Sequence, residues 1–167
     1  MNVRSIHPAA VLAAALLGCG GSQAPVPVVG LEADISQLAG EWYGDYSSVE
    51  SGRSGSIVFK LIAGTDSATG DVVMTPKWFT RQGNSQMEPS PTPPPASQPI
   101  AIRFVRVSGG QVSGALAPYT DPTCGCALHT TFVGRLRSDT LDGTYTSVHE
   151  QTRDLQQGRW RVVRKRP

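Results

Sequence analysis

Apolar runs long enough to cross a bilayer are missing from this sequence. The run from Ala9 to Leu17 falls short of the roughly 20 residues that a spanning helix needs, and no other segment comes closer. Stretches with helical apolar periodicity are missing too, which argues against a helical domain. There is no Gly-x-Ser-x-Gly elbow, no phosphate-cradling glycine loop and no His-Glu-x-x-His, and no other set of acid, base and nucleophile converges in the sequence. Hydrolases of the elbow type, nucleotide enzymes and zinc proteases are thereby excluded, and the chain is expected not to be an enzyme. Charge is sparse, at 17% of residues. The last nine residues hold five basic side chains and no acid, leaving the rest mildly acidic. That tail reads as a solvated last strand or as a contact for anionic lipid or an acidic partner. It has only Trp160 for stacking, so nucleic acid is not an expected partner.

The composition that is present points to strands. Of 167 residues, 39% are hydrophobic, which suffices for a core, and 18 Gly with 13 Pro supply many turns. Short alternating runs predict eight strands, at 39–47, 55–63, 70–76, 99–107, 110–118, 128–137, 140–148 and 157–166. Phe59 and Leu61 share one face. So do Val112, Gly114 and Leu116, then Leu128, Thr130, Phe132, Gly134 and Leu136, then Leu141, Gly143 and Tyr145. Inward glycines allow tight coiling. Sequential strands joined by hairpins predict an all-β domain over 35–167, a single antiparallel up-and-down barrel or strongly curled meander, with a two-sheet sandwich as the alternative. The Pro-rich run 87–99 is expected as a long surface loop, with a polyproline ligand as the alternative reading.

The first residues carry an address. Arg4 precedes the apolar run, and Leu16-Leu17-Gly18-Cys19 closes it. This resembles the lipobox of bacterial lipoproteins. The resemblance implies cleavage after residue 18, diacylglycerol on the Cys19 thiol and an acyl chain on its amine, with no other cofactor. Residues 19–34, rich in Gly, Ser and Pro, are expected as a lipidated start and flexible tether. The expected place is the bacterial cell envelope, at the outer membrane, facing the periplasm or the exterior. A monomer is expected.

Gly40-Glu41-Trp42 at the first strand resembles the Gly-x-Trp start of lipocalins. The late Gly143-Thr144-Tyr145 and Gly158-Arg159-Trp160 are similar to avidin-like members of the same calycin barrels. The lipocalin resemblance implies that Trp42 closes the barrel base against an Arg of the last strand, where Arg159, Arg161 and Arg164 are available.

Three functions follow as expectations. The first is non-enzymatic binding of a small apolar molecule or envelope component, in a lumen lined by Phe59, Leu61, Leu116, Phe132 and Tyr145. The second is copper or zinc handling by Cys124, Cys126 and His129, with His149, Met74 or Met87 as a fourth ligand. The third is a structural or protein-interaction role for a filled barrel. For Cys124 and Cys126 three states stay open: a disulfide, favoured in an exported protein, a thiolate pair, or ordinary loop residues.

Overall fold

In the computed structural model, residues 25–48, 50–75, 96–121 and 124–166 are described. The expected signal segment, Cys19, Met87 and most of the Pro-rich run lie outside them. The elements are β1 (Val26–Val29), α1 (Glu32–Leu38), β2 (Gly40–Ser47), β3 (Ser54–Leu61), β4 (Ser67–Thr75), β5 (Gln98–Ser108), β6 (Gln111–Leu116), β7 (Tyr119–Thr120), β8 (Ala127–Arg137), β9 (Thr140–His149) and β10 (Leu155–Arg164). No described helix is long and apolar enough to cross a membrane.

The eight long strands are the eight expected, each end within about three residues of its predicted place. They run antiparallel from β2 to β6 and on through β8, β9 and β10. Closure comes from β10 pairing with β2, so the molecule is a barrel and not a two-sheet sandwich. Closure pairs each long strand of the barrel on both sides among the described residues, which is why short polar-faced strands suffice. Hairpin turns follow their residues. Gly109 and Gly110 both have positive φ, 54° and 74°, as the two-residue turn from β5 to β6 requires.

One expectation about the start of the chain is corrected. Residues 26–29, assigned to the tether, form β1, and 32–38 form α1. At that end β4 and β5 separate. β1 fills the gap, antiparallel to β4 and parallel to β5, making a closed nine-strand mixed barrel. The strand is too short to show a period in sequence, with only Val26 and Val28 flanking Pro27. Both valines are buried and Pro27 points out. The tether reading weighed Pro and Gly composition; the unpaired sheet edges decided otherwise.

The helix closes one end of the barrel. α1 has no basic residue in its last turn, so its final carbonyls need outside donors. Trp42 and Arg164 supply them. The buried indole N–H donates to Leu38 O at 2.8 Å. The Arg164 guanidinium lies 4.2 Å from the Trp42 ring centroid. It donates to Ala39 O and, at 2.7 Å, to Gln37 O.

Within the wall, large aromatics stand against glycines. Trp160 is in register with Gly143, which is in register with Gly134. Its indole fills the space where side chains at Gly134 would sit, and its N–H donates to Thr144 O and Val133 O at 3.1 and 3.2 Å. A methyl group at Gly134 would collide with this ring.

An exposed charge cluster sits outside the closed end. Glu41 meets Lys60 at 2.9 Å and Lys165 at 3.2 Å, and accepts from the Tyr43 hydroxyl at 2.8 Å. These contacts, Lys60 first, hold the Glu41 carboxyl at about 2, against an ordinary 4.5. A carboxyl depressed on folding stabilises above its unfolded value and loses that stabilisation as pH falls through the folded value. Thermal melts between pH 4.5 and 2 should therefore fall less steeply in Glu41→Gln than in the parent. The difference should be small and shrink in salt, because the site is exposed. Parallel curves would show that the cluster adds nothing.

Candidate functional site

The barrel interior holds a half-open cavity of about 90 Å³. Its walls are apolar because inward positions alternate along every strand. Phe59, Leu116, Phe132 and Tyr145 line it, as the sequence predicts. Leu61 does not. It is buried opposite Gly40 and Ala68, where β3 ends near the helix-closed end, and belongs to the core packing instead. Leu38, from α1, lines the cavity as well. Nothing in the apolar pattern of the sequence marks a helix there, so Leu38 was not among the expected lining residues.

Toward the other end the lining turns polar. Tyr46, Tyr119, Tyr145, Thr130, Ser147 and Arg53 form this zone. Tyr119 and Thr130 hydroxyls lie 3.1 Å apart, and those of Thr130 and Ser147 2.7 Å apart. Tyr46 and Tyr145 meet edge to face with centroids 5.6 Å apart. Burial, above all, raises the pKa of both phenols, so both stay protonated at neutral pH and present neutral O–H groups. The Tyr145 hydroxyl is buried with the Ser48 side chain beside it, and among the described residues no partner meets ideal hydrogen-bond geometry. A buried polar atom of this kind calls for a partner. Tyr46 was legible, being on the same face of β2 as Trp42. Arg53 was not, since it lies in a turn between β2 and β3 that alternation does not reach.

Beside this zone lies the cysteine loop. Cys124 and Cys126 are joined by a disulfide, with Cα atoms 5.2 Å apart. Of the states left open by the sequence, the structure has the disulfide. The closed loop is only three residues long, so the bond restrains the unfolded chain little: about 1.6 kcal/mol by the relation that gives about 3 for a 15-residue loop. Two backbone bonds shape the loop, Asp121 N–H to Cys126 O and Gly125 N–H to Asp121 O, both 2.8 Å. Gly125 takes φ 66°, a conformation that favours glycine.

The histidine assignment is corrected. His129 does not join the cysteines. It is on the outward face of β8, exposed, with Nε2 3.8 Å from the Glu150 carboxylate. His149, at the end of β9, takes the place instead, with Nδ1 3.0 Å from Cys126 Sγ. The reason is strand alternation: His129 points away from the barrel, while the final residue of β9 can turn toward the loop. Ligand atoms of Cys124, Cys126 and His149 lie within 4.8 Å of one another. As a disulfide, the sulfurs offer no thiolate to a metal. Met74 is buried and faces the cavity.

Behind His149 runs a chain of polar side chains. His149 Nε2 is 2.9 Å from Gln156 Nε2, and Gln156 Oε1 accepts from Arg53 at 2.7 Å. Arg53 forms a buried ion pair with Asp121, whose side chains are 10% and 2% exposed. No protein-family model matches this chain, and neither the curated proteins nor the solved structures yield a match to it.

Proposed function

We propose that this chain is a lipid-anchored protein of the bacterial envelope whose barrel binds a small, mainly apolar molecule, or the apolar end of an envelope component, without catalysis. The observation that carries this reading is the half-open apolar cavity with its neutral hydroxyls grouped toward the end away from α1. Binding sites of this kind combine apolar walls with a few placed polar groups. The cavity, at about 90 Å³, suits a thin chain or a short alkyl group. Tyr145 and Tyr46 place neutral hydroxyl-bearing rings where a ligand's polar end would lie. The Arg164 guanidinium over Trp42, 4.2 Å from its ring centroid, supports the calycin-like reading of Gly40-Glu41-Trp42.

The test is titration of the protein with 1-hexanol, followed by NMR shifts of the cavity side chains. Saturable shifts confined to Leu116, Phe132 and their neighbours are expected. Leu116→Trp, which adds bulk to the lining, should weaken the interaction at least tenfold, about 1.4 kcal/mol. Shifts that grow linearly, or an unchanged affinity in the variant, would leave the barrel with a structural or protein-interaction role.

The anchor has its own test. The full chain expressed in a bacterium should sediment with membranes, and its first peptide should carry acyl mass on Cys19. Cys19→Ser should release most of it to the soluble fraction, because two or three acyl chains hold far longer than an unlipidated terminus. Membrane retention of Cys19→Ser would refute lipid anchoring at this residue.

A second reading, soft-metal handling, rests on the proximity of Cys124, Cys126 and His149, and requires the disulfide to be opened first.

A further inference from the structure

We propose that Cys124-Gly125-Cys126 is a thiol–disulfide exchange site, in which Cys124 takes the incoming thiolate and His149 receives Cys126 as the leaving thiolate. The inference is independent of the cavity and of the lipid anchor.

Access decides which sulfur is attacked. Cys124 is exposed, whereas Cys126 is buried. An approaching thiolate therefore reaches Cys124 Sγ. The departing sulfur is then Cys126, and the polar chain behind it is arranged to receive a negative charge. Arg53 has only donors, so the Gln156 atom it binds at 2.7 Å is the carbonyl Oε1. That fixes the Gln156 NH₂ toward His149, and His149 Nε2 must accept from it at 2.9 Å. The proton of the neutral imidazole then sits on Nδ1, 3.0 Å from Cys126 Sγ. The tautomer is thus set three residues away, by Asp121 holding Arg53, Arg53 holding Gln156, and Gln156 holding His149. Asp121 also bonds the cysteine loop itself through its backbone N–H and O. The loop and the histidine are parts of one hydrogen-bonded circuit.

The step balances as follows. A thiolate on a partner molecule attacks Cys124 Sγ. A new sulfur–sulfur bond forms, and the electron pair of the Cys124–Cys126 bond leaves on Cys126 Sγ, which accepts the hydrogen bond from His149 Nδ1–H. A second thiolate on the partner attacks the partner's own sulfur in that mixed disulfide and expels Cys124 as a thiolate. The partner dithiol is oxidised to a disulfide, and the Cys124–Cys126 disulfide is reduced to two thiolates, which take up the two protons that the partner's thiols gave up. The reverse sequence reduces a partner disulfide. The substrate class is a cysteine dithiol or disulfide. A protein of the envelope and a low-molecular-weight thiol share this chemistry.

A stabilised leaving thiolate makes the disulfide the easier form to reduce. The test equilibrates the full chain with reduced and oxidised glutathione at a series of ratios, followed by acid quench, alkylation and peptide mapping. Partial reduction within the range of glutathione buffers is expected, with the glutathione adduct on Cys124. His149→Ala should lower the reduction equilibrium constant at least tenfold and slow reduction. Gln156→Leu, which leaves His149 in place but frees its tautomer, should shift the equilibrium the same way by a smaller factor, which keeps the test decisive if His149→Ala folds poorly. A reduced synthetic dithiol peptide, oxidised faster per thiol than glutathione, would point to a protein partner; equal rates would point to small thiols. A disulfide that resists all glutathione ratios in the folded chain would overturn the proposal. So would adducts divided equally between Cys124 and Cys126, or variants indistinguishable from the parent. Reduced thiols that bind added zinc and then form no mixed disulfide would also overturn it, in favour of metal handling.

Discussion

Trp42→Ala should lower the unfolding free energy by about 4 kcal/mol, within the 3–5 typical of deleting a buried aromatic. Domains of this size are stable by about 5–15 kcal/mol in total, so this one change should remove a large share of it. The expected cost is high because Trp42 is fully buried and four contacts depend on its position. Its indole N–H holds Leu38 O, its ring face carries Arg164, and Arg164 in turn holds Ala39 O and Gln37 O. Without the indole, the end of α1 loses its donors and the cavity loses its closed end. Arg164→Ala should cost about 2 kcal/mol, since bonds to a charged donor are worth about 1.5–3. Arg164→Lys should recover only part, because an ammonium lacks the planar fork that spans two carbonyls and stacks on a ring. Urea denaturation of the two single variants and the double variant measures their coupling. A coupling of about 1 kcal/mol is expected for a stacked and hydrogen-bonded pair. Additivity within about 0.4 kcal/mol would mean that the stack is incidental to the closed end.

The barrel strands were legible because their burial is one-sided. Leu128, Thr130, Phe132, Gly134 and Leu136 alternate with His129, Thr131, Val133, Arg135 and Arg137, and each of the first set faces in while each of the second faces out. That period of two survives any uncertainty about partners. β1 was not legible for the opposite reason: four residues cannot display a period, and Pro27 with the neighbouring Gly and Ser reads as a tether. Its pairing depends on a gap between β4 and β5 that exists only in the closed barrel. The cavity residues followed from alternation, and Leu61 failed because alternation gives a side chain's face but not its height along the barrel. The cysteine site was half legible. Cysteines one residue apart favour a disulfide by compartment alone, where the expectation of export holds. Which histidine joins them is a matter of long-range register, and sequence proximity favoured His129 where β9 delivers His149.

The second large effect is expected at the buried ion pair. Asp121→Ala should cost about 3–5 kcal/mol, because removing one partner leaves the other charge without compensation in a low-dielectric site. Arg53→Met should cost a similar amount, since it leaves the buried Asp121 carboxylate without its guanidinium. The double variant Arg53→Met with Asp121→Leu should regain most of the loss, as replacement of a whole buried pair by apolar groups is often neutral. It will not regain all of it, because Gln156 Oε1 loses the donor it has at 2.7 Å. If the pair existed only for stability, its apolar replacement would be as good as the original. The circuit from Asp121 to His149 gives a different expectation. The double variant should unfold at nearly the parent's urea concentration, yet its disulfide should be harder to reduce, since nothing now orients Gln156 and through it the His149 proton. Stability and redox equilibrium recovering together would place the ion pair in the packing alone, whereas recovery of the first without the second would assign it to the cysteine loop.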